Sequence, residues 1–277
     1  MAVSLNPLVL LAAAILRIPA RRIRALACGD EGALRDWLAN ESATRLAEAR
    51  RDARVAARRL ERLGARVVAL RDEDYPEGLR DLKDPPPFLT VRGSLAPSVR
   101  RRAGVAIVGT RTPAEPSAQF AYELARRISG PVVSGLALGI DAAAHRGALD
   151  TNATTIAYVG NGLGATYPPE HVELEERIVA NGGAILSEQL PGETVTRWAL
   201  TRRDRLQAAH AGCVVLVESD AGGGAMYAMR AARAVARPWY ALAPREGADF
   251  AGNERAIADG AVVLPWDAAA AARIIEG

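Results

Sequence analysis

Lysine is almost missing from this 277-residue chain: Lys83 stands alone among 35 basic residues. Arginine carries the rest, and its planar fork suits phosphate and stacks on bases, although a genomic codon bias accounts for the same preference. Cysteine is scarce too. Cys28 and Cys213 lie far apart without metal-ligand spacing, which argues against a disulfide scaffold or zinc site and for a reducing, cytoplasmic setting. His145, His171 and His210, the only histidines, form no pair at zinc-site spacing. The apolar stretch 8–16 is too short to span a bilayer and lacks the basic flank of a signal peptide, so no membrane association is expected. There is no G-x-x-x-x-G-K-[ST] loop and no G-x-S-x-G elbow, which excludes a P-loop motor and a serine hydrolase of that type. No catalytic residue, metal or cofactor is expected.

With 49 % hydrophobic and 24 % charged residues, the chain can bury a full core as one large domain or a large and a small one. Residues 1–64 read as a small all-helical domain, with helices at 7–16, 19–27, 31–37 and 42–63 and with Gly29 and Gly64 at helix ends. The last of these carries Arg50, Arg51, Arg54, Arg58, Arg59 and Arg62 beside Glu48, Asp52 and Glu61. That pattern reads as a solvated face whose field is partly offset. Residues 65–103 form a connector with one strand at 66–70 and an extended run through Asp84-Pro85-Pro86-Pro87.

From Gly104 to about 266, short β-rich runs alternate with helical ones. The strands fall at 105–108, 132–134, 155–159, 184–186, 214–217 and 239–242, with helices at 117–128, 140–149, 169–181, 203–211 and 224–236. This alternation predicts an α/β fold, a doubly wound, mostly parallel sheet covered on both faces. Ligands bind beyond the carboxyl ends of such strands. Glycines gather there: Gly109-Thr110-Arg111, Ser134-Gly135 through Gly139, Gly160-Asn161-Gly162 and Gly222-Gly223-Gly224. Each turn alone has a steric explanation, but four on one rim form a groove where backbone N–H groups can face anions.

The run Gly160 to Ala165 fits G-x-G-x-x-G/A, but Tyr167-Pro168-Pro169 delays the helix that a dinucleotide site needs. Asp141 and His145, four residues apart, would share a helix face and fix the loop ahead of it. Arg203 and Arg205 flank Asp204, which could hold one of them by an ion pair while the others face the groove. Arg197 and Trp198 add a cation and an aromatic, the latter read more readily as core than as a base platform.

The succession Gly109-Thr110-Arg111, Ser134-Gly135-x-Ala137-x-Gly139-Ile140-Asp141-x-x-Ala144-His145, Tyr167-Pro168 and Ser187-Glu188 resembles the DNA processing protein A family (DprA, also called Smf). Asp74-Tyr75-Pro76, Asp84-Pro85-Pro86, Arg203-Asp204-Arg205, Gly252-Asn253 and Gly260-Ala261 extend the likeness over nearly the whole chain. The resemblance implies an extended Rossmann-like fold that binds single-stranded DNA without catalysis, protects it and loads RecA recombinase onto it in natural transformation. It also implies a homodimer. It places Arg111 on a phosphate with Gly109 and Thr110 shaping the pocket, and adds donors from the Ser134-Gly135-to-Gly139, Gly160-to-Gly162 and Gly222–Gly224 turns. Arg203 and Arg205 match the ends of the family's Arg-Asn-Arg motif.

This chain departs from the family pattern in several places. Asp204 replaces the asparagine, Leu200-Thr201 replaces Phe-Pro, Gly222-Gly223-Gly224 with Tyr227 replaces the Ser-Gly-Ser turn and its threonine, and Pro169-Glu170 stands where a lysine is common. The sequence ends at Gly277, short of the winged-helix tail of many members. Two other readings stay open. One is a small-nucleotide enzyme or sensor resembling the nucleoside-monophosphate phosphoribohydrolases, which Ala221 to Ala225 match in part. The other is an adaptor whose Arg-rich helix docks a partner.

Overall fold

The computed structural model describes residues 6–95 and 104–277, without the side chains of Glu31, Asp36 and Trp37. The first five residues of the predicted helical region and residues 96–103 of the predicted connector lie outside that description.

Four helices lead the chain: α1 (Pro7–Ile15), α2 (Ala20–Ala27), α3 (Arg35–Ala39) and α4 (Ala43–Arg62). Local chemistry sets their ends. Asn6 Oδ1 accepts from the Leu8 N–H ahead of α1, Ser42 Oγ accepts from Arg45 N–H ahead of α4, and Gly64 follows α4 with φ +62°. These helices share one continuous core with the sheet. Leu10, Leu11, Ile23 and Ala53 belong to the same buried cluster as Val68, Leu89, Tyr158 and Leu186.

The sheet comprises β1 (Ala65–Ala69), β2 (Phe88–Gly93), β3 (Val105–Val108), β4 (Val132–Ser134), β5 (Thr155–Val159), β6 (Ala184–Ser187), β7 (Cys213–Leu216), β8 (Trp239–Leu242) and β9 (Val262–Leu264). Their spatial order is β1-β2-β6-β5-β4-β3-β7-β8-β9. β2 pairs antiparallel with both β1 and β6, and every other neighbouring pair is parallel. The crossovers carry α5 (Glu115–Ala125), α6 (Ile140–Leu149), α7 (Val172–Ala180), α8 (Arg197–His210), α9 (Ala225–Ala234) and α10 (Ala251–Ala258), and α11 (Ala268–Glu276) follows β9. All residues of β3, β4, β5, β6 and β7 are buried, as expected for strands covered on both faces.

The chain winds outward from β3 through β4 and β5 to β6, then returns to the other side of β3 for β7, β8 and β9. The winding therefore reverses between β3 and β7, and a crevice is expected beyond their carboxyl ends. The proline run does end in an extended segment, but as the six-residue strand β2 that joins the antiparallel edge to the parallel sheet.

Candidate functional site

A cavity of about 760 Å³ opens at this switch point. Its floor is the turn after β3 (Gly109, Thr110, Arg111) and the turn after β7 (Ser219, Asp220 and Gly222 to Gly224). One wall is α8 with Arg197, Leu200, Arg203, Asp204 and Gln207; another is the start of α9 with Ala225 and Tyr227. Tyr167, Ala137 and Asp141 close it towards β4 and β5.

The glycine turns do not present a row of free amides, as the sequence suggests. Thr110 N–H donates to Glu218 O (2.7 Å), Gly162 N–H to Glu193 O (2.9 Å), Gly222 N–H to Asp220 Oδ1 (2.7 Å) and Gly223 N–H to Asp220 O (3.2 Å). Ser134 is fully buried, its hydroxyl donating to Ile107 O at 2.7 Å. Gly139, with φ +76°, sits beneath the β3 turn, where a Cβ would come within 2.5 Å of Thr110 O. Gly160 lines a small adjoining recess with Gly135, Leu138 and Arg203. Several of the expected backbone donors are thus spent on holding the rim in shape. At the start of α9, Met226 N–H and Tyr227 N–H donate to Gly223 O (3.1 Å) and Gly224 O (2.9 Å), which leaves the N–H groups of Gly224 and Ala225, both lining the cavity, as its leading donors.

The rim is fixed mainly by Asp141 and His145. Asp141 Oδ2 accepts from Gly135 N–H (3.1 Å) and Ala137 N–H (3.3 Å). Burial pushes its carboxyl above the ordinary range, against the opposing pull of Arg203 and those two amides. His145 Nε2 accepts from Leu136 N–H at 3.3 Å. Its Nδ1 lies 2.7 Å from Thr155 Oγ1, whose hydroxyl already donates to Val132 O, so Nδ1 carries the proton and donates. Burial, with the charges of His171, Arg203 and Arg146, holds His145 down at about 3, so the ring is neutral at physiological pH. His171 Nδ1 hydrogen-bonds Leu136 O at 2.8 Å and clamps the same turn from outside.

Arg203 is the buried cation of the site. Its guanidinium lies over Gly135, Nη1 is 3.7 Å from Asp141 Oδ2, and Nε is 3.3 Å from Asp204 Oδ1. Neither Nε nor Nη1 has a hydrogen-bond partner, although both are fully buried. A Cβ on residue 135 would fall 1.2 Å from Nη1, so only glycine admits this arginine. Gly135→Ala is therefore expected to destabilise the fold by roughly 1–3 kcal/mol through overpacking, read from the urea midpoint. An unchanged midpoint would mean Arg203 relocates without cost.

Arg205, expected beside Arg203 in the groove, is placed elsewhere. Two positions apart on a helix do not share a face. Its Nη2 donates to Glu188 Oε1 (2.6 Å), with Asp84 at 3.9 Å, under the segment that precedes β2. Arg111, in contrast, is exposed at the cavity mouth and makes no ion pair among the described residues. Trp198 is no core residue: it is 64 % exposed on the first turn of α8, with Arg202 over its ring at 5.1 Å. The Thr196 hydroxyl accepts from Ala199 N–H and starts α8 six residues earlier than the pattern suggests, which turns Arg197 towards the cavity.

Reading the residues one by one missed Tyr167, Gln207, Asp220 and Tyr227 as cavity residues. It also missed Glu218, which accepts from Ala114 N–H at 3.1 Å, and Asn253, which binds Ser219 N–H and the carbonyls of Val217 and Leu242. These two hold the β3 and β7 turns in register.

Three arginines (Arg111, Arg197, Arg203) and three aspartates (Asp141, Asp204, Asp220) line the cavity. Asp204 accepts from Gln207 Nε2 at 3.3 Å and is pushed up to about 7 by burial, with Asp141 raising it further and Arg203 and Arg111 opposing. Its neutral form removes one negative charge from the balance. Among the described residues no cluster of three or more His, Cys, Asp or Glu side chains could hold a metal ion, and no helix is long and apolar enough to cross a membrane.

Residues 66–274 match the family model described as DNA recombination-mediator protein A. The chain belongs to this family. It is 37 % identical over 176 residues to protein Smf of Synechocystis, covering 62 % of this chain and 44 % of that one. It is 31 % identical over 173 residues to the DNA processing protein DprA of Streptococcus pneumoniae, covering 62 % of this chain and 60 % of that one. The chain thus spans about half the length of the curated relatives it matches. The pneumococcal DprA crystal structure superposes with a TM-score of 0.71 at 24 % identity, over 95 % of this chain and 90 % of that one, and so shares the fold. DNA processing protein A of Helicobacter pylori, studied for its single-stranded DNA binding mode, matches with a TM-score of 0.63 at 29 % identity, over 72 % of this chain and 90 % of that one.

Proposed function

We propose that this protein binds single-stranded DNA, without catalysing a reaction, in the cavity between the β3 and β7 turns. The observation that carries the reading is the exposed Arg111, which makes no ion pair among the described residues, at the mouth of a cavity that Arg197 and Arg203 also line. An exposed guanidinium at the mouth of a cleft fits phosphate oxygens, which arginine binds in bidentate fashion. The single-stranded DNA binding studied in the H. pylori relative supports the same reading. Two groups of acid–base type, His145 and Asp141, are built into the rim itself. His145 is buried and neutral, and Asp141 and Asp204 both lie against Arg203. In the finer form of this reading the protein acts as a homodimer in the cytoplasm, protects the strand and passes it to RecA recombinase, in keeping with a recombination-mediator family.

Arg111→Ala is expected to weaken oligo-dT binding by roughly ten- to a hundredfold, the range for a hydrogen bond to a charged group, and to lower the salt dependence by about one counterion. Fluorescence anisotropy at low and moderate salt, with duplex competitor, measures both. A second reading rests on the cavity's size, since about 760 Å³ also suits a small nucleotide. No binding by the unaltered protein, together with release of free base from nucleoside monophosphates, would replace the first reading with that one.

A further inference from the structure

The cavity balances three arginines with three aspartates, so it supplies little net field for a polyanion. The missing charge stands next to it. The turn containing Gly160 to Gly164 and the segment from Leu190 to Thr196 pack on each other, with Gly162 N–H donating to Glu193 O at 2.9 Å. On one side they deliver Tyr167 and Thr196 to the cavity. On the other they carry α4: Arg59 Nη2 lies 3.4 Å from Gly164 O, and a Cβ on Gly192 would meet Arg59 Nη1 at 2.2 Å. Gly192 lies only four residues before Thr196, a chain distance of at most about 14 Å.

Beyond Arg59, α4 presents Arg51, Arg58 and Arg62 in one exposed row, spaced by seven and four residues, on the side opposite the buried Ala49, Ala53 and Leu60. None of the three forms an ion pair among the described residues, whereas Arg45 at the start of the helix pairs with Glu41 just ahead of it. Glu48 and Asp52 flank the row towards its N-terminal half, and Glu61 lies on the far flank, so the row itself is not interrupted by an acid. The exposed side chain within the row is Val55, at 62 %.

We infer that a single strand bound in the cavity continues over the Gly164 and Gly192 loops onto α4, where Arg51, Arg58 and Arg62 bind its phosphates. The inference rests on the reading of the cavity as the single-strand site. Continuity through Arg59 and charge complementarity select the occupant: the same strand, not a second protein. At about 30 Å, the length of a 20-residue helix, α4 adds several phosphates to the footprint.

The test uses the full chain and oligo-dT of about six and about thirty nucleotides, within the range of single-strand site sizes and beyond it. Binding is measured at about 0.15 M salt, where the Debye length of about 8 Å confines the effect of an exposed charge to its surroundings. The triple variant Arg51→Glu, Arg58→Glu, Arg62→Glu keeps good helix formers at all three positions. Its affinity for the long strand is expected to fall at least tenfold, its salt slope to flatten by about two to three, and its affinity for the short strand to stay within about twofold. The corresponding three-lysine variant should keep most of the affinity. An equal loss on both strands, or no loss on either, overturns the route over α4 while leaving the cavity reading intact. Failure of the unaltered protein to bind either strand overturns the cavity reading itself.

Discussion

Asp141→Ala is expected to lower the unfolding free energy by roughly 3–5 kcal/mol, the cost of removing one partner from a buried ionic group. The carboxylate holds the rim together from below. Without it, Gly135 N–H and Ala137 N–H lose their acceptor, and Arg203 loses one of the two carboxylates that flank it. An unsatisfied buried donor costs about 1–3 kcal/mol, so the two amides alone approach this range. At about 2–4 °C per kcal/mol for a chain of this size, the melting temperature should drop by roughly 10 °C. Asp141→Asn retains one acceptor oxygen and should lose about half as much. Urea unfolding of the three proteins decides the matter. A loss below about 1 kcal/mol for the alanine variant would mean that the turn after β4 is held by His145 and His171 alone.

Much of the architecture is legible in the order of residues. Val105–Val108 is apolar throughout between Gly104 and Gly109, and Thr155–Val159 is mostly apolar and runs into Gly160, the pattern of a fully buried parallel strand. The elements missed include α10 and α11, although Asp267 ahead of the alanine run of α11 is a local helix signal; the missed strands are those whose signal is tertiary. β9 has three residues, two of them exposed, and among the described residues pairs only with β8, so no periodicity marks it. β2 follows a run of prolines and takes its place through backbone pairing with β1 and β6. The charge row on α4 is visible in the sequence, but its relation to the cavity is not. That relation depends on Arg59 meeting Gly164 across 105 positions of chain.

The site was legible in outline and not in its wiring. Glycine at the strand ends marks the rim correctly as a place where backbone comes close, but the reason differs by residue. Gly135 makes room for a guanidinium, Gly139 for the β3 turn packed on it, and Gly162 for the carbonyl of Leu190. Whether an amide faces a ligand or a neighbour is decided by contacts far along the chain, such as Gly162 with Glu193 or Thr110 with Glu218. The arginine pair at 203 and 205 shows the same limit. Helix geometry alone separates their faces, but only the fold reveals that the first meets the cavity and the second Glu188.

Asp204→Asn is expected to stabilise the protein at pH 8 and to remove much of its loss of stability between about pH 4 and pH 7. The unfolded carboxyl ionises near 3.8, whereas in the folded protein burial, aided by Asp141 and opposed by Arg203 and Arg111, raises it to about 7. Between those values the folded state binds more protons than the unfolded one, so stability falls as pH rises. At 1.36 kcal/mol per unit, the full effect is on the order of 4 kcal/mol above pH 7. The amide carries no charge to desolvate, keeps an oxygen for Gln207 and leaves Arg203 with Asp141 as its carboxylate neighbour. A smaller slope of the same sign should persist in the variant, because burial also raises Asp141 and Glu188. Where the cavity takes a phosphate, the same proton is linked to binding. Neutral Asp204 frees Arg203 for the anion, so affinity for oligo-dT should fall by up to about tenfold from pH 6 to pH 8 in the unaltered protein and much less in Asp204→Asn. Urea midpoints and anisotropy across that pH range test the two halves separately. Parallel stability curves for the two proteins would show that Asp204 is ionised throughout, with Arg203 as a full counter-charge, and the cavity would then hold its anion through Arg111 and the first turn of α9.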